Sequence, residues 1–253
     1  MSTAAEPRFL LLQVRDADDP VRRQEVECFA AAIGCGVDRV STHSLLGGAP
    51  TGRLLNRHDA VLIGGRGAYS AARAEANAIE RPAPAWLEPA FDALRHLHAR
   101  SKPAFASCWG FQAFCRAIGG DCVHDLAHAE LGPTEMQLTT AGAADPLFGS
   151  VLPERFFAHA GHEDRVTKLP AGATLLASSD TVANQAIVFA GKPIYATQFH
   201  PELTAAALIE RVAAYPKYVR QIAGVPLAEF RHDVVDTPEA NGLLPRFVEI
   251  ALA

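Results

Sequence analysis

The chain has 253 residues, 49% of them hydrophobic and 20% charged, which is enough to bury one large core and nothing that requires a second domain. Its formal net charge is −5 and its arginines are scattered, so no basic footprint points to nucleic acid as a partner. The five cysteines, at positions 28, 35, 108, 115 and 122, form neither an even disulfide set nor a C-x-x-C pair, which fits a reducing compartment. Met1 to Pro7 carries Glu6 and no basic stretch, and the apolar run Phe9 to Leu12 is too short for a signal peptide or a membrane span. A cytoplasmic protein without membrane contact is expected.

Arg8 to Val14 is a compact apolar run of strand length. Asp18-Asp19-Pro20 starts a helix that should run to about Ile33, where Gly34 and Gly36 end it. Val37 to His43 alternates as a second strand, Gly47 to Pro50 marks a loop, and Asp59 to Gly65 is a third strand closed by Gly64-Gly65-Arg66-Gly67. This βαβ rhythm argues for a parallel sheet with helices on both faces. Ser70 to Pro84 reads as an Ala-rich, irregular connection broken by Pro82 and Pro84. Trp86 to His98 places Leu87, Ala90, Phe91, Leu94 and Leu97 on one face of an amphipathic helix, with His96 and His98 at its surface.

Pro103 to Ala106 has strand length, and after Ser107-Cys108 the pattern changes to Phe111, Phe114, Cys115 and Ile118 at helical spacing. Cys108 therefore stands where a strand turns into a helix, and Gly110 supplies the small residue such a turn needs. Helix N–H groups favour a thiolate there. The other four cysteines read as small buried hydrophobes.

From Asp121 to Phe157 short strands at Cys122-Val123, Met136 to Thr140 and Glu154 to Phe157 alternate with Gly and Pro. His124 and His128 are four apart and His159 and His162 three apart, but no Asp or Cys partner completes a ligand pattern, so no metal is expected. His162-Glu163-Asp164 reads as a polar turn. Thr174 to Ser178 and Ala186 to Phe189 form a hairpin-like pair, and Pro193 to Phe199 is a strand followed by His200, Pro201 and Glu202. A cysteine, a histidine and a carboxylate able to orient it make up a catalytic triad. Helices are expected at Ala206 to Ala214, Lys217 to Ala223 and Asn241 to Leu252.

Ser107-Cys108-Trp109-Gly110-Phe111-Gln112 with Gln198-Phe199-His200-Pro201-Glu202 resembles the two signatures of the class I glutamine amidotransferases, whose triad is Cys-His-Glu. Val61 to Gly67, the His162 to Val166 segment and Leu169 to Ala173 extend the likeness from about Phe9 to Leu203. The resemblance implies a single domain over 1–253, with residues 204–253 as a helical extension. Its fold would be α/β and flavodoxin-like, a mainly parallel sheet with helices on both faces. It further implies Cys108, His200 and Glu202 as catalytic residues and the backbone N–H groups of Gly65 and Trp109 as the oxyanion hole. Gln112, His162 and Glu163 would contact substrate, and no cofactor is implied.

The implied reaction releases ammonia from the side-chain amide of glutamine. No synthetase domain fits beside this one in 253 residues, so a separate synthase would be the acceptor. The same triad also serves γ-glutamyl hydrolases or peptidases, and Cys108-Trp109-Gly110 is shared with acyltransferases resembling homoserine succinyltransferase. A non-catalytic interaction protein is disfavoured by the complete triad. One departure from the family pattern is Ala106, where glycine usually stands two residues before the nucleophile.

Overall fold

The computed structural model describes residues 6–66 and 84–252. The connection expected from Ser70, apart from Pro84 itself, lies outside the described residues, as does Gly67 of the glycine cluster.

The N-terminal half alternates strands and helices: β1 (Phe9–Val14), α1 (Val21–Ile33), β2 (Val40–Ser44), α2 (Gly52–Asn56), β3 (Ala60–Arg66), α3 (Leu87–Ala99), β4 (Ala104–Ser107) and α4 (Trp109–Ala117). A region richer in strands follows, with β5 (Asp121–His124), β6 (Glu130–Leu138), α5 (Thr140–Ala144), α6 (Phe148–Val151), β7 (Arg155–His162), β8 (Asp164–Lys168), β9 (Ala173–Ser178), β10 (Ala186–Phe189) and β11 (Ile194–Thr197). Helices α7 (Ala205–Ala213), α8 (Pro216–Ala223), α9 (Leu227–Asp233), α10 (Pro238–Asn241) and α11 (Leu243–Ala251) complete the described chain.

Nine strands form one sheet in the order β2-β1-β3-β4-β11-β10-β9-β6-β7. The first five are parallel, and an antiparallel meander continues from β11 through β10, β9 and β6 to β7. β5 and β8 pair separately. Successive strand residues point to opposite faces, and β1 shows the consequence. Phe9 and Leu11 pack with Phe29 of α1 and with Leu244 and Phe247 of α11, while Leu10 and Leu12 pack with Phe91 and Leu94 of α3 and with Phe114 of α4. The sheet is thus an α/β layer buried on both faces.

Several local readings change. Val37 to Arg39 is a single 3-10 turn and β2 starts only at Val40. Helices α2, α5, α9 and α10 differ from the expectation, because α2, α5 and α10 have only four or five residues and α9 carries Glu229, Arg231 and His232 among few apolar positions. His98 is half-buried with its ring edge-on to Phe189, the ring centroids 4.8 Å apart, rather than at the surface with His96. Of the cysteines expected to be buried, Cys28, Cys115 and Cys122 are, whereas Cys35 is partly exposed. Among the described residues no helix is long and apolar enough to cross a membrane.

Candidate active site

Parallel strands open at their carboxyl ends, and a sheet of this kind collects functional groups there. Cys108 follows β4 with φ 53° and ψ −106°, one of only two non-glycine residues with positive φ among those described. Such a backbone is strained for a residue with a side chain. The neighbouring chain holds it in place: the Cys108 N–H donates to Thr197 O at 2.8 Å and Gln112 N–H donates to Cys108 O at 3.1 Å. The turn works because Gly110 lacks a side chain. A Cβ there would sit 2.7 Å from the Ile63 carbonyl oxygen and 2.8 Å from Ile63 Cγ2. Ala106, by contrast, occupies a regular strand position between Ile63 and Ala196, and its methyl is fully buried. The departure at Ala106 is accommodated in the sheet core.

β11 lies beside β4, so the chain that leaves it delivers His200 next to Cys108. His200 Nδ1 donates to Glu202 Oε1 at 2.6 Å, and the Cys108 thiol donates to the Gly161 carbonyl at 3.6 Å. Burial alone would lower the His200 pKa. The Glu202 carboxylate and the hydrogen bond and charge of Cys108 outweigh it and push the imidazole up to about 9. Burial would likewise raise Glu202, but His200, and after it Arg211, hold that carboxyl down at about 2. The imidazole therefore interacts with the sulfur and the carboxylate together, with Nδ1 carrying a proton.

Arg211 escaped the sequence reading. Its Nη1 donates to Glu202 Oε1 at 3.1 Å and its Nε to Gln24 Oε1 at 3.0 Å, while the Gln24 amide donates to Ala207 O at 2.8 Å. The available signal was its position on α7, where it shares a buried face with Leu208 and Val212.

Gly65 lines the cavity with Cys108 and His200, and Trp109 follows Cys108 at the head of α4. Between Leu12–Ile63 and Val14–Arg66 the β1–β3 register shifts, so β3 carries an extra residue at Gly64-Gly65. A Cβ on Gly65 would lie 3.3 Å from His200 Cε1. Glycine is what allows the strand end to approach the imidazole. Trp109 is the first residue of α4, so its N–H has no acceptor within the helix.

Gln112, His162 and Glu163 all line the cavity, but their polar atoms are partly committed. Gln112 Nε2 donates to Asp164 O at 2.9 Å and to Gln198 Oε1 at 3.1 Å. His162 Nε2 lies 2.8 Å from Glu130 Oε2, and the same carboxylate accepts from Gln185 at 2.6 Å and from Ser179 at 2.7 Å. These donors outweigh the effect of burial and keep Glu130 below the usual carboxylate range. Glu163 forms the turn between β7 and β8, and its carbonyl accepts from Asp125 N–H at 2.9 Å. His124 and His128, considered above as metal ligands, lie 2.8 Å from Asp164 and Asp125 respectively. Among the described residues, His159 is buried with no hydrogen-bond partner for either ring nitrogen.

The cavity over Cys108 holds about 300 Å³. Arg66 stands on one side, its guanidinium 3.0 Å from Asp164. Leu203, Leu208 and Val212 supply apolar lining, and Arg15 and Tyr215 also line the cavity. A nucleophile, a base and two candidate N–H donors around a space of this size suit acyl transfer on a small polar molecule.

The family model for glutamine amidotransferase class-I matches residues 51–210. Among curated relatives, a glutamine-hydrolyzing GMP synthase subunit of Methanocaldococcus jannaschii is 36% identical over 101 residues, 40% of this chain and 51% of that protein. The corresponding subunit of Thermoplasma volcanium is 37% identical over 101 residues, 40% of this chain and 48% of that one. The chain thus spans about half the length of the subunits it matches. Among solved structures, a glutamine amidotransferase from Thermotoga maritima superimposes with a TM-score of 0.73 at 20% identity, covering 97% of this chain and 98% of that one. One from Methylobacillus flagellatus gives 0.67 at 17% identity, with 96% and 94% covered. These structures share the fold, and the matched region runs from α2 into α7, taking in both strand ends that carry Cys108 and His200. The chain belongs to the class I glutamine amidotransferases.

Proposed function

We propose that this protein hydrolyses the side-chain amide of glutamine through a thioester on Cys108 and yields ammonia to an acceptor on a separate synthase subunit. The observation that carries this reading is His200 lining the same cavity as Cys108, with its Nδ1 held at 2.6 Å by Glu202. Cys108 Sγ attacks the amide carbon as its thiol proton passes to His200, and the oxygen that becomes negative is held by the N–H groups of Gly65 and Trp109. His200 gives its proton to the departing nitrogen, which leaves as ammonia, and the C–N bond is replaced by C–S. Water then attacks the thioester with His200 as base, releasing glutamate and restoring the thiol. Glu202 keeps the imidazole in the required tautomer and stabilises its positive form. Residues 1–253 act as one domain in this scheme. The partner is suggested by the relatives, which are named as subunits of GMP synthase.

A second reading, γ-glutamyl hydrolysis, is favoured by the apolar lining from Leu203, Leu208 and Val212, which can take the hydrocarbon part of a larger leaving amine. Incubation of the purified chain with L-glutamine, with γ-glutamyl peptides, and with succinyl-coenzyme A plus homoserine, following ammonia, glutamate and ester, distinguishes the cases. Ammonia from glutamine that rises when a synthase subunit is added, and that disappears in Cys108→Ala, is the expected result. Rapid peptide cleavage with negligible ammonia would replace it with the second reading, and ester formation would reject both.

A further inference from the structure

One wall of the cavity comes from helices that follow Glu202, and α8 lies wholly beyond the 51–210 region that the family shares. Tyr218, on α8, lines the cavity, and its hydroxyl oxygen is buried with no hydrogen-bond partner among the described residues. An unmet buried hydroxyl costs about 1–3 kcal/mol, so native proteins rarely keep one without a use. Its surroundings are polar. Burial chiefly, and then the charges of Cys108 and Glu163, raise the phenol's pKa, while Arg66 opposes them.

The helix that carries Tyr218 is anchored. Val219 is fully buried in a cluster with Leu208, Val212 and Phe230, and Tyr215 at the head of α8 donates to Asp19 Oδ1 at 3.1 Å. The Tyr218 side chain therefore has its backbone fixed by contacts on either side of it in the chain. A phenol is both a donor and an acceptor, so in a cavity also lined by Arg66 and Glu163 it can meet either end of an amino-acid zwitterion.

We propose that Tyr218 is a specificity-determining residue whose hydroxyl hydrogen-bonds the amino-acid end of the γ-glutamyl substrate while the acyl carbon lies over Cys108. The assignment rests on the amide-hydrolysis reading above and holds whichever amine departs. It makes the helical extension part of the substrate site.

The test uses the full chain, L-glutamine and the variant Tyr218→Phe, which keeps the ring and removes only the oxygen. Two quantities are read: KM and kcat for glutamine, and the rate at which iodoacetamide labels Cys108 with and without glutamine. Iodoacetamide has no amino-acid end, so its bare rate should be unchanged. KM should rise about tenfold with kcat within about twofold, the loss of one hydrogen bond, and glutamine should protect Cys108 about tenfold more weakly. Equal KM and equal protection in the two proteins would overturn the contact alone. A fall in kcat and in bare labelling at constant KM would place Tyr218 on the nucleophile and also overturn it. If wild type shows neither turnover of glutamine or γ-glutamyl amides nor protection, the amide-hydrolysis reading and the contact fall together.

Discussion

Glu202 accepts from His200 and from Arg211 through the same oxygen, so the guanidinium of a later helix bears on the imidazole beside Cys108. Without that cation Glu202 would direct its whole charge at His200, the imidazolium would become more stable, and the ring would act as a base only at higher pH. Arg211→Met is expected to move the acidic limb of the kcat profile up by about half a unit or more and to cut kcat near pH 7 about tenfold. Arg211→Lys, which keeps the charge, should hold closer to the wild-type profile. An Arg211→Met profile that overlies wild type would show that Arg211 is only structural. Cys108, His200 and Glu202 were legible in the chain because each stands at or just after a strand end within a local pattern. Arg211 was not, since its partner is set by how α7 docks onto α1, and Gln24 of α1 completes the contact.

The decisive element is the β4–α4 turn. Strand and helix were both readable from the change of apolar spacing around Ser107, and the small residue at 110 from turn chemistry, but the reason for glycine there lies in β3. Gly110 is closed in by the backbone and side chain of Ile63, neither of which can retreat from a central strand. Gly110→Ala should destabilise the protein by about 1–3 kcal/mol and, by pushing α4 away from β3, lower glutamine hydrolysis more than the loss of folded protein explains. Urea titration alongside activity checks both. A variant as stable and as active as wild type would mean that the turn has room that these contacts deny. The α8 helix shows the opposite case: its existence was expected from Lys217 to Ala223, but nothing in those residues tells that Tyr218 reaches the Cys108 cavity.

Buried histidines make the whole molecule sensitive to pH. Burial, and then the charge of His200, lower His159 to about 4 from an ordinary 6.5. The unfolded chain takes a proton near pH 6.5 that the folded chain refuses until about 4, so stability falls as pH drops through that interval. His98, lowered by burial and by Lys192, acts in the same sense. His200 is the reverse: raised to about 9, it contributes stability that is complete below 6.5 and lost as pH rises through about 9. Urea unfolding is expected to give a free energy about 2 kcal/mol lower at pH 5 than at pH 6.5, and His159→Leu should remove more than half of that difference. The same drop in both proteins would place the proton elsewhere.

The alternation of strands and helices, the elbow at Cys108, and the motif that ends in Glu202 can all be read from the chain alone. These depend on apolar periodicity and on turn residues only a few positions apart, which are local physical preferences. Which side chains share the cavity comes from packing: the α7 cation on Glu202, the α8 phenol lining the pocket, and the Glu130 network that occupies His162. Each of those contacts joins elements that the chain does not place side by side, and it exists only because the sheet order and the packing of the last helices bring them together. Residue spacing carries no record of that approach, since a buried polar side chain and a solvated one look alike until their neighbours are in place.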